Sequence, residues 1–373
     1  MRGVRQPVYI QTIATAVPQY CYSQGFVLEF MQRLPVYAAR HGFLARIYRS
    51  SAIEQRYSVI GDYDRPPEER TFYPPSDDFT PEPDVVARNE RYVIESNRLA
   101  LEAARGLFAQ LKEAEFAISP ASITHLITVS CTGFSAPGFD YYLARELPLP
   151  PTVNRLHVGF MGCYAAFPAL KTARDICIAD PGARVLIVDL ELCSLHLQQK
   201  LDPDIIVANA LFGDGAAAAL VSAQEPRSEL ASFRLDAFQS YIVPDSEQEM
   251  AWTVGHTAFD MRLSAYVPQM IKREIGGITD SLLAAGGLGR EQVDQWAIHP
   301  GGRAIVEKAA EELGLSAEDV EASYSVLRNY GNMSSVTIFF VLQEMQRLGR
   351  RGRTFAAAFG PGLTVESAIL ESA

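Results

Sequence analysis

Apolar residues recur three and four apart through ARNERYVIESNRLALEAARGLFAQL, residues 87–111, which predicts a long helix with one buried face. ITHLITVSCTG, residues 123–133, follows as a short β-rich run that ends at Gly133 and predicts a buried strand. The order then repeats. GFMGCYAAFPALKTARDICIA (159–179) is helical in pattern after Gly162, a Pro-Gly-Ala turn follows, and ARVLIVDLE (183–191) is an apolar strand. LFGDGAAAALVSA (211–223) predicts a turn and a further strand. Nearer the C-terminus, VDQWAIHP (293–300) is a short strand stopped by Pro300, and GGRAIVEKAAEELG (301–314) is a helix closed by Gly314. MSSVTIFFVLQEMQRLG (333–349) is another helix, and RTFAAAFGPGLTVESAIL (353–370) holds two β runs around a Gly-Pro-Gly turn. By contrast, GDYDRPPEERTFYPPSDDFTPEPD (61–84), rich in proline and charge, reads as a long excursion between elements rather than core.

Continuous apolar strands separated by helices predict an α/β fold whose strands are covered on both faces. GCYAAFPALKTARDICIADPGARVLIVDL (162–190) and GNMSSVTIFFVLQEMQRLGRRGRTFAAAF (331–359) follow one plan: a polar or reactive residue, a long helix, a turn with Gly and Arg, and an apolar strand. That shared plan predicts an internal duplication. The expected division is a half at 1–225 carrying a cysteine and a half at 226–373 carrying a histidine and an asparagine.

Composition narrows the function classes. With 48% hydrophobic and 21% charged residues the chain reads as globular, and no apolar run approaches the roughly 20 residues needed to cross a bilayer. The opening MRGVRQPVYIQTIATAVPQ lacks the apolar stretch and cleavage site of a secretory signal, so a cytoplasmic setting with no membrane span is expected. A net charge of -11 argues against a nucleic-acid partner. Cys21, Cys131, Cys163, Cys177 and Cys193 are scattered without metal-ligand spacing, so neither a disulfide framework nor a metal site is expected.

Three residues at element ends attract attention. Cys163 follows the Met161-Gly162 step and is expected to open a helix, where the macrodipole and free N–H groups favour a thiolate. An inert buried thiol is the ordinary alternative. His299 ends the strand QWAI ahead of Pro300-Gly301-Gly302, a setting for an acid/base or for a satisfied structural histidine. Asn332, in YGNMSS, is either an amide donor or a helix N-cap. Together a cysteine, a histidine and an amide donor suit acyl transfer through a covalent thioester. LFGDG and FGPG lack the surroundings of a nucleotide loop.

These segments resemble a known family. GFMGCYAAFPALKTARD, WAIHPGGRAI and YGNMSS are similar to the cysteine, histidine and asparagine segments of chalcone synthase-like type III polyketide synthases. ALFGDGAAA, FGPGLTVES and SCTGFSAPG extend the similarity, while residues 1–90 add little. The resemblance implies a five-layered αβαβα thiolase fold with internal duplication, a homodimer, and a triad of Cys163, His299 and Asn332. It implies a starter acyl-CoA loaded on the cysteine, extension by decarboxylating malonyl-CoA, cyclisation, and no cofactor beyond the coenzyme A thioesters themselves. Phe212 matches a gatekeeper between coenzyme A tunnel and cavity, Gly301 and Ala304 match positions beside coenzyme A, and Arg46, Arg49 and Arg56 lie where the family holds its phosphates.

The departures concern the cavity. Met261 stands in place of a second gatekeeper phenylalanine, Trp252 in place of a small residue, and Ala136 in place of a methionine that reaches into the partner's cavity. Cys131 replaces a hydroxyl residue of the cyclisation network while Glu191 and Ser334 are kept; Cys193 and His196 replace cavity threonines. The pattern resembles bacterial rather than plant members, with a medium or long fatty acyl starter as the leading expectation. The alternatives are an initiation-type ketoacyl synthase and a non-catalytic binding protein on the same fold.

Overall fold

The structure is a computed structural model, and it describes residues 6–372. Its longest helix, α3 (Val85–Glu113), starts where the Asp84 carboxylate accepts the Ala87 N–H at 2.9 Å. Tyr92, Ser96, Leu99, Ala103, Leu107 and Leu111 form its buried stripe. That stripe lies on a sheet containing β1 (Tyr9–Ala16), β4 (His125–Ser130), β5 (Asn154–Gly159), β6 (Arg184–Leu192) and β7 (Asp214–Ser222). Only small residues, Gly215 to Ala219, occupy the first half of β7, which lets helices approach closely from both faces.

On the opposite face lie α5 (Ala166–Ala179) and α10 (Thr337–Arg347). Every residue from Thr337 to Leu342 is buried, the signature of a helix enclosed all round. Beyond them stands a second set of strands, β8 (Phe233–Ile242), β11 (Gln295–Ile298), β12 (Arg353–Gly360) and β13 (Thr364–Ser372), covered outside by α7 (Val267–Ala285) and α8 (Arg303–Leu313). Helix, sheet, paired helices, sheet, helix: these are the five layers of the thiolase fold.

The duplication is visible in strand directions. β4–β6–β7–β1 runs parallel, antiparallel, antiparallel, and β11–β12–β13–β8 runs the same way. The two sets meet at one short antiparallel pairing, Tyr9 with Arg234 and Ile10 with Phe233, giving a nine-stranded order β11-β12-β13-β8-β1-β7-β6-β4-β5.

The 61–84 excursion departs from expectation. Tyr63, Tyr73 and Phe79 are buried and pack with Phe30 and Tyr22 in one aromatic cluster. Its start is tied to its middle by the buried Asp62 carboxylate, which accepts the N–H groups of Thr71, Phe72 and Tyr73 at 2.7–3.1 Å. Most of its prolines and charges stay exposed or half-buried, whereas Asp62, Pro83 and the rings of Tyr63, Tyr73 and Phe79 are buried, a division that window composition does not resolve.

Candidate active site

Cys163 lies at the start of a turn, Cys163–Ala165, three residues ahead of the first helical residue of α5. It does not open the helix itself, so the macrodipole acts on it from a greater distance than expected. Burial instead pushes its thiol up to about 11, while the nearby Ser334 hydroxyl and Asn332 amide pull the other way. Gly162 sets the turn with φ +76, and a Cβ there would stand 2.3 Å from Pro361 Cδ. The backbone at Gly162 and Cys163 is thereby held close against the Gly-Pro-Gly loop between β12 and β13. Two non-glycine residues beside it, Phe160 (φ 57) and Ser334 (φ 53), also hold left-handed backbone, a cost of about 1–2 kcal/mol each.

His299 follows β11 directly, and its N–H donates to Ala357 O at 2.8 Å, so strand pairing fixes its backbone. The ring is buried and neither nitrogen has a hydrogen-bond partner; burial alone pulls it down to about 3, leaving a neutral imidazole. Asn332 is not an N-cap. It precedes a 3-10 turn, Ser334–Val336, that leads into α10, and its backbone bridges to Phe212, with its N–H donating to Leu211 O and its carbonyl accepting from Gly213 N–H, both at 2.9 Å. Gly331, at φ +70, makes that approach feasible, since a Cβ there would meet Leu211 O at 2.7 Å. The Asn332 side chain donates to Gly301 O at 3.2 Å and accepts from Ser334 N–H at 2.8 Å, leaving one amide hydrogen free.

Two cavities meet at Cys163. The outer one is lined by His299, Gly301, Ala304 and Asn332, together with Phe43, Ile47 and Ser50 of α2 (His41–Ser50). The inner one is lined by Cys131, Cys193, His196, Trp252 and Ser334, and reaches Tyr22, Val27 and Tyr63. Phe212, Met261 and Met250 line both, so they stand between the two. Nothing in the sequence singled out Met250, which comes with Trp252 on a hairpin of β9 (Met250–Val254) and β10 (Phe259–Leu263). The hairpin closes over the inner cavity, with Trp252 Nε1 donating to Cys131 O at 2.8 Å.

Other expected residues divide by their bonding. His196 is fully committed: one ring nitrogen pairs with Thr132 O at 2.8 Å, the other accepts from Phe259 N–H at 3.1 Å, and the ring stacks on Phe259. It braces the hairpin as a neutral group, burial pulling it to about 3. Glu191 is no surface carboxylate but a buried acceptor for the Cys131 N–H, the Cys131 thiol at 3.1 Å and Thr132 Oγ1 at 2.8 Å. Burial, with Glu191 beside it, keeps the Cys131 thiol neutral. The thiol of Cys193 is likewise held up by burial. Arg56 is not free for a phosphate: it is buried, giving Nη1 to the carbonyls of Asn209 and Phe212 and Nε to Gln24. Arg46 and Arg49 are exposed on α2, beside the outer cavity.

A buried thiol with hydroxyl and amide donors, an unpartnered imidazole and two joined cavities form a site for holding an acyl chain on sulfur while a second molecule enters from outside. The sequence matches the N-terminal domain of chalcone and stilbene synthases over residues 3–225 and their C-terminal domain over residues 234–373. The chain belongs to the chalcone and stilbene synthase family. It is a type III polyketide synthase and hence an acyltransferase. A relative from Mycobacterium tuberculosis, described as an alpha-pyrone synthesis polyketide synthase-like protein, is 31% identical over 369 residues, covering 97% of this chain and 90% of that one. Among solved structures, PKS-I from the brown alga Ectocarpus siliculosus is 29% identical with a TM-score of 0.91, covering all of both chains. A type III pentaketide synthase from Neurospora crassa is 27% identical with a TM-score of 0.84, over 98% of this chain and 100% of that chain.

Proposed function

We propose that this polyketide synthase loads an aliphatic acyl group from coenzyme A onto Cys163, extends it with malonyl-CoA, and releases an alkyl pyrone or resorcinol. The observation that carries this reading is the placement of Cys163 at the junction of the two cavities, with His299 and Asn332 on the outer side. The starter's thioester carbonyl is attacked by the Cys163 sulfur as its proton passes to His299, and coenzyme A leaves with a proton. Malonyl-CoA then loses carbon dioxide in the outer cavity. The electron pair of the broken C–C bond becomes an enolate, whose oxygen takes hydrogen bonds from a His299 ring N–H and the free Asn332 amide hydrogen. The enolate carbon attacks the acyl carbonyl on Cys163, the C–S bond breaks as the C–C bond forms, and the lengthened chain, now on coenzyme A, returns to the sulfur as that coenzyme A leaves. On this reading coenzyme A thioesters are the only small molecules the reaction needs.

The apolar reach of the inner cavity past Val27, Tyr22 and Tyr63 suits an alkyl chain, and the α-pyrone description of the mycobacterial relative points to the same class. Arg46 and Arg49, with Arg303 on the outer cavity's lining, are the candidates for the coenzyme A phosphates. The break between the halves falls at 225/226 in this reading, consistent with the separate matches of the two family domains. The exposed edge strand β5, with Leu156, Phe160, Phe134 and Tyr141 exposed around it, supports pairing with a second copy. No described helix is long and apolar enough to cross a membrane. A cytoplasmic setting, where thiols stay reduced, fits a chain whose working group is a thiol.

The test is incubation with malonyl-CoA and a panel of aliphatic and aromatic acyl-CoA starters, products being read by mass spectrometry against Cys163→Ala. Alkyl pyrones or resorcinols made only by the unaltered enzyme are expected. The same products from Cys163→Ala, or exclusive use of aromatic starters, would overturn the assignment.

A further inference from the structure

Behind the inner cavity lies a group that the reaction described above does not use. Asp189 is fully buried on β6, two residues before Glu191. Ser335 Oγ, also fully buried, lies 2.6 Å from Asp189 Oδ1 and 2.8 Å from Glu191 Oε1. A serine hydroxyl has one hydrogen, so it can donate to only one of the two oxygens. The second short contact is a hydrogen bond only if that carboxyl bears a proton and donates it to Ser335. The surroundings decide which one does. Glu191 already accepts from the Cys131 backbone, the Cys131 thiol and Thr132 Oγ1, a set of donors that suits a carboxylate. Asp189 Oδ2 has no partner at all, which an ionised carboxylate in a dry interior would not tolerate.

We propose that Asp189 is a positioning residue holding a proton, and that Asp189, Ser335 and Glu191 form a relay that ends at the Cys131 thiol on the inner cavity and sets how the released chain cyclises. In the resting arrangement Asp189 donates to Ser335, and Ser335 donates to Glu191. When the cavity side needs an acid, the Asp189 proton moves to Ser335 Oγ and the Ser335 proton to Glu191 Oε1. Asp189 becomes the carboxylate and Glu191 the neutral acid, with one negative charge conserved throughout. Glu191 then stands 3.1 Å from Cys131 Sγ, which itself lies 3.5 Å from Ser334 Oγ, a hydroxyl that lines the inner cavity together with Cys163. The relay thus reaches the edge of the chemistry without touching the thioester.

The electrostatics agree. Burial first, and the neighbouring Glu191 second, hold Asp189 well above the usual carboxylate range, while Glu191 is raised by burial and brought back by its donors. The other titratable groups around the pair are Tyr92 from α3, Cys131 at the end of β4 and Cys193 after β6, all raised by burial and so neutral. Like charges this close cannot both persist in a dry site, so one proton is shared by the pair.

Infrared difference spectroscopy of the resting enzyme tests the proton directly, and this arm does not depend on the proposed starter. The carbonyl stretch of a buried protonated carboxyl, shifted on exchange into heavy water, is expected in the unaltered enzyme and in Glu366→Gln, which removes another buried carboxyl, on β13, and is expected to vanish in Asp189→Asn. Its absence from the unaltered enzyme, or its survival in Asp189→Asn, would overturn the proposal. A second arm rests on the polyketide reading and compares cyclised with linear or hydrolysed products, normalised to carbon dioxide released. Asn can still hydrogen-bond Ser335 but cannot pass a proton, so the ratio is expected to fall by about tenfold or more in Asp189→Asn. Ser335→Ala, which leaves both carboxyls in place, is expected to lower it in the same direction. A ratio unchanged in both variants, with carbon dioxide still released, would mean a purely structural role. No carbon dioxide from the unaltered enzyme would instead count against the polyketide reading, and the spectroscopic arm would still decide the proton.

Discussion

The Asn332 side-chain amide donates to the Gly301 carbonyl at 3.2 Å, which couples the loop after β11 to the segment ahead of α10 across the outer cavity. One bond therefore fixes the direction of the second amide hydrogen, the donor assigned to the enolate. Replacing Asn332 with Ala removes that donor while the backbone bridge to Phe212 remains. Loss of one such donor lowers turnover by about 100- to 1000-fold. Malonyl-CoA decarboxylation by Asn332→Ala should fall by this amount, while alkylation of Cys163 by a small thiol reagent stays within a few-fold. Equal loss of both would show that Asn332 serves the thiol rather than the enolate.

The neutral His299 makes a prediction about stability. Its folded value of about 3 lies below the ordinary 6.5, so the unfolded chain takes up the proton first as pH falls. The stability associated with His299 is complete above pH 6.5 and is lost progressively toward pH 3, at about 1.4 kcal/mol per pH unit. Between pH 6.5 and pH 5 the loss is therefore about 2 kcal/mol. Urea unfolding of the enzyme and of His299→Asn at pH 7 and pH 5 isolates this share from the oppositely signed contributions of Asp189, Glu191 and Asp214, whose raised values act the other way. A smaller drop in the variant supports a neutral resting imidazole. A larger one would indicate that the histidine already rests as an imidazolium beside a thiolate.

Gly162 carries the geometry of the thiol. With φ +76 and Pro361 Cδ 2.3 Å from where a Cβ would sit, Gly162→Ala is both strained and sterically blocked. A loss of about 2 kcal/mol or more is expected from backbone strain plus displacement of the Gly-Pro-Gly loop. Thermal unfolding and acyl loading of Cys163 should both suffer. A variant of unchanged stability that still loads acyl groups would show the loop to be free to move.

The edge strand β5 supplies a prediction about assembly. Leu156, 45% exposed, lies on a strand whose outer backbone groups have no neighbour in the sheet among the described residues, and Phe160, 40% exposed, follows its last residue. Leu156→Asp should shift the molecular mass measured by light scattering from two copies toward one, since a charge buried without a partner opposes association. A single-copy mass for the unaltered enzyme would remove the dimer reading altogether.

How far the sequence announced this site varies with the kind of signal each residue leaves. Strand β6 and helix α3 were legible because periodicity and continuous apolar character report burial directly. His299 was legible because Pro300 stops its strand. The helix after Cys163 was read three residues too early, since nothing in Tyr164 or Ala165 breaks a helix, and what holds them in a turn is the Gly162–Pro361 approach, a contact distant in sequence. Tyr63, Tyr73 and Phe79 were hidden in a proline-rich window, because composition averages over residues that face opposite ways. Arg56 looked like a phosphate ligand until the carbonyls it holds were visible. Asp189 gave no sign at all: within an apolar strand, one aspartate is meaningful only once Ser335 and Glu191 are seen beside it.

Trp252 is the most direct handle on product size. Its indole lines the inner cavity, stands edge-on to His196 and Phe259 at 5.3 and 5.7 Å between ring centroids, and donates Nε1–H to the Cys131 carbonyl. Trp252→Ala empties that volume and frees the Cys131 carbonyl, with a stability loss of about 1–3 kcal/mol for a half-buried ring. The hairpin should keep its place, because His196 still binds Phe259 N–H and Thr132 O. The enlarged cavity should accept at least one further malonyl unit or a bulkier starter. The mass distribution of products from one starter, with malonyl-CoA in excess, measures this directly. A shift to longer chains places the growing polyketide against Trp252, whereas an unchanged distribution with reduced rate would place it toward Tyr22 and Val27, and make α1 (Gln24–Arg33) the wall that measures length.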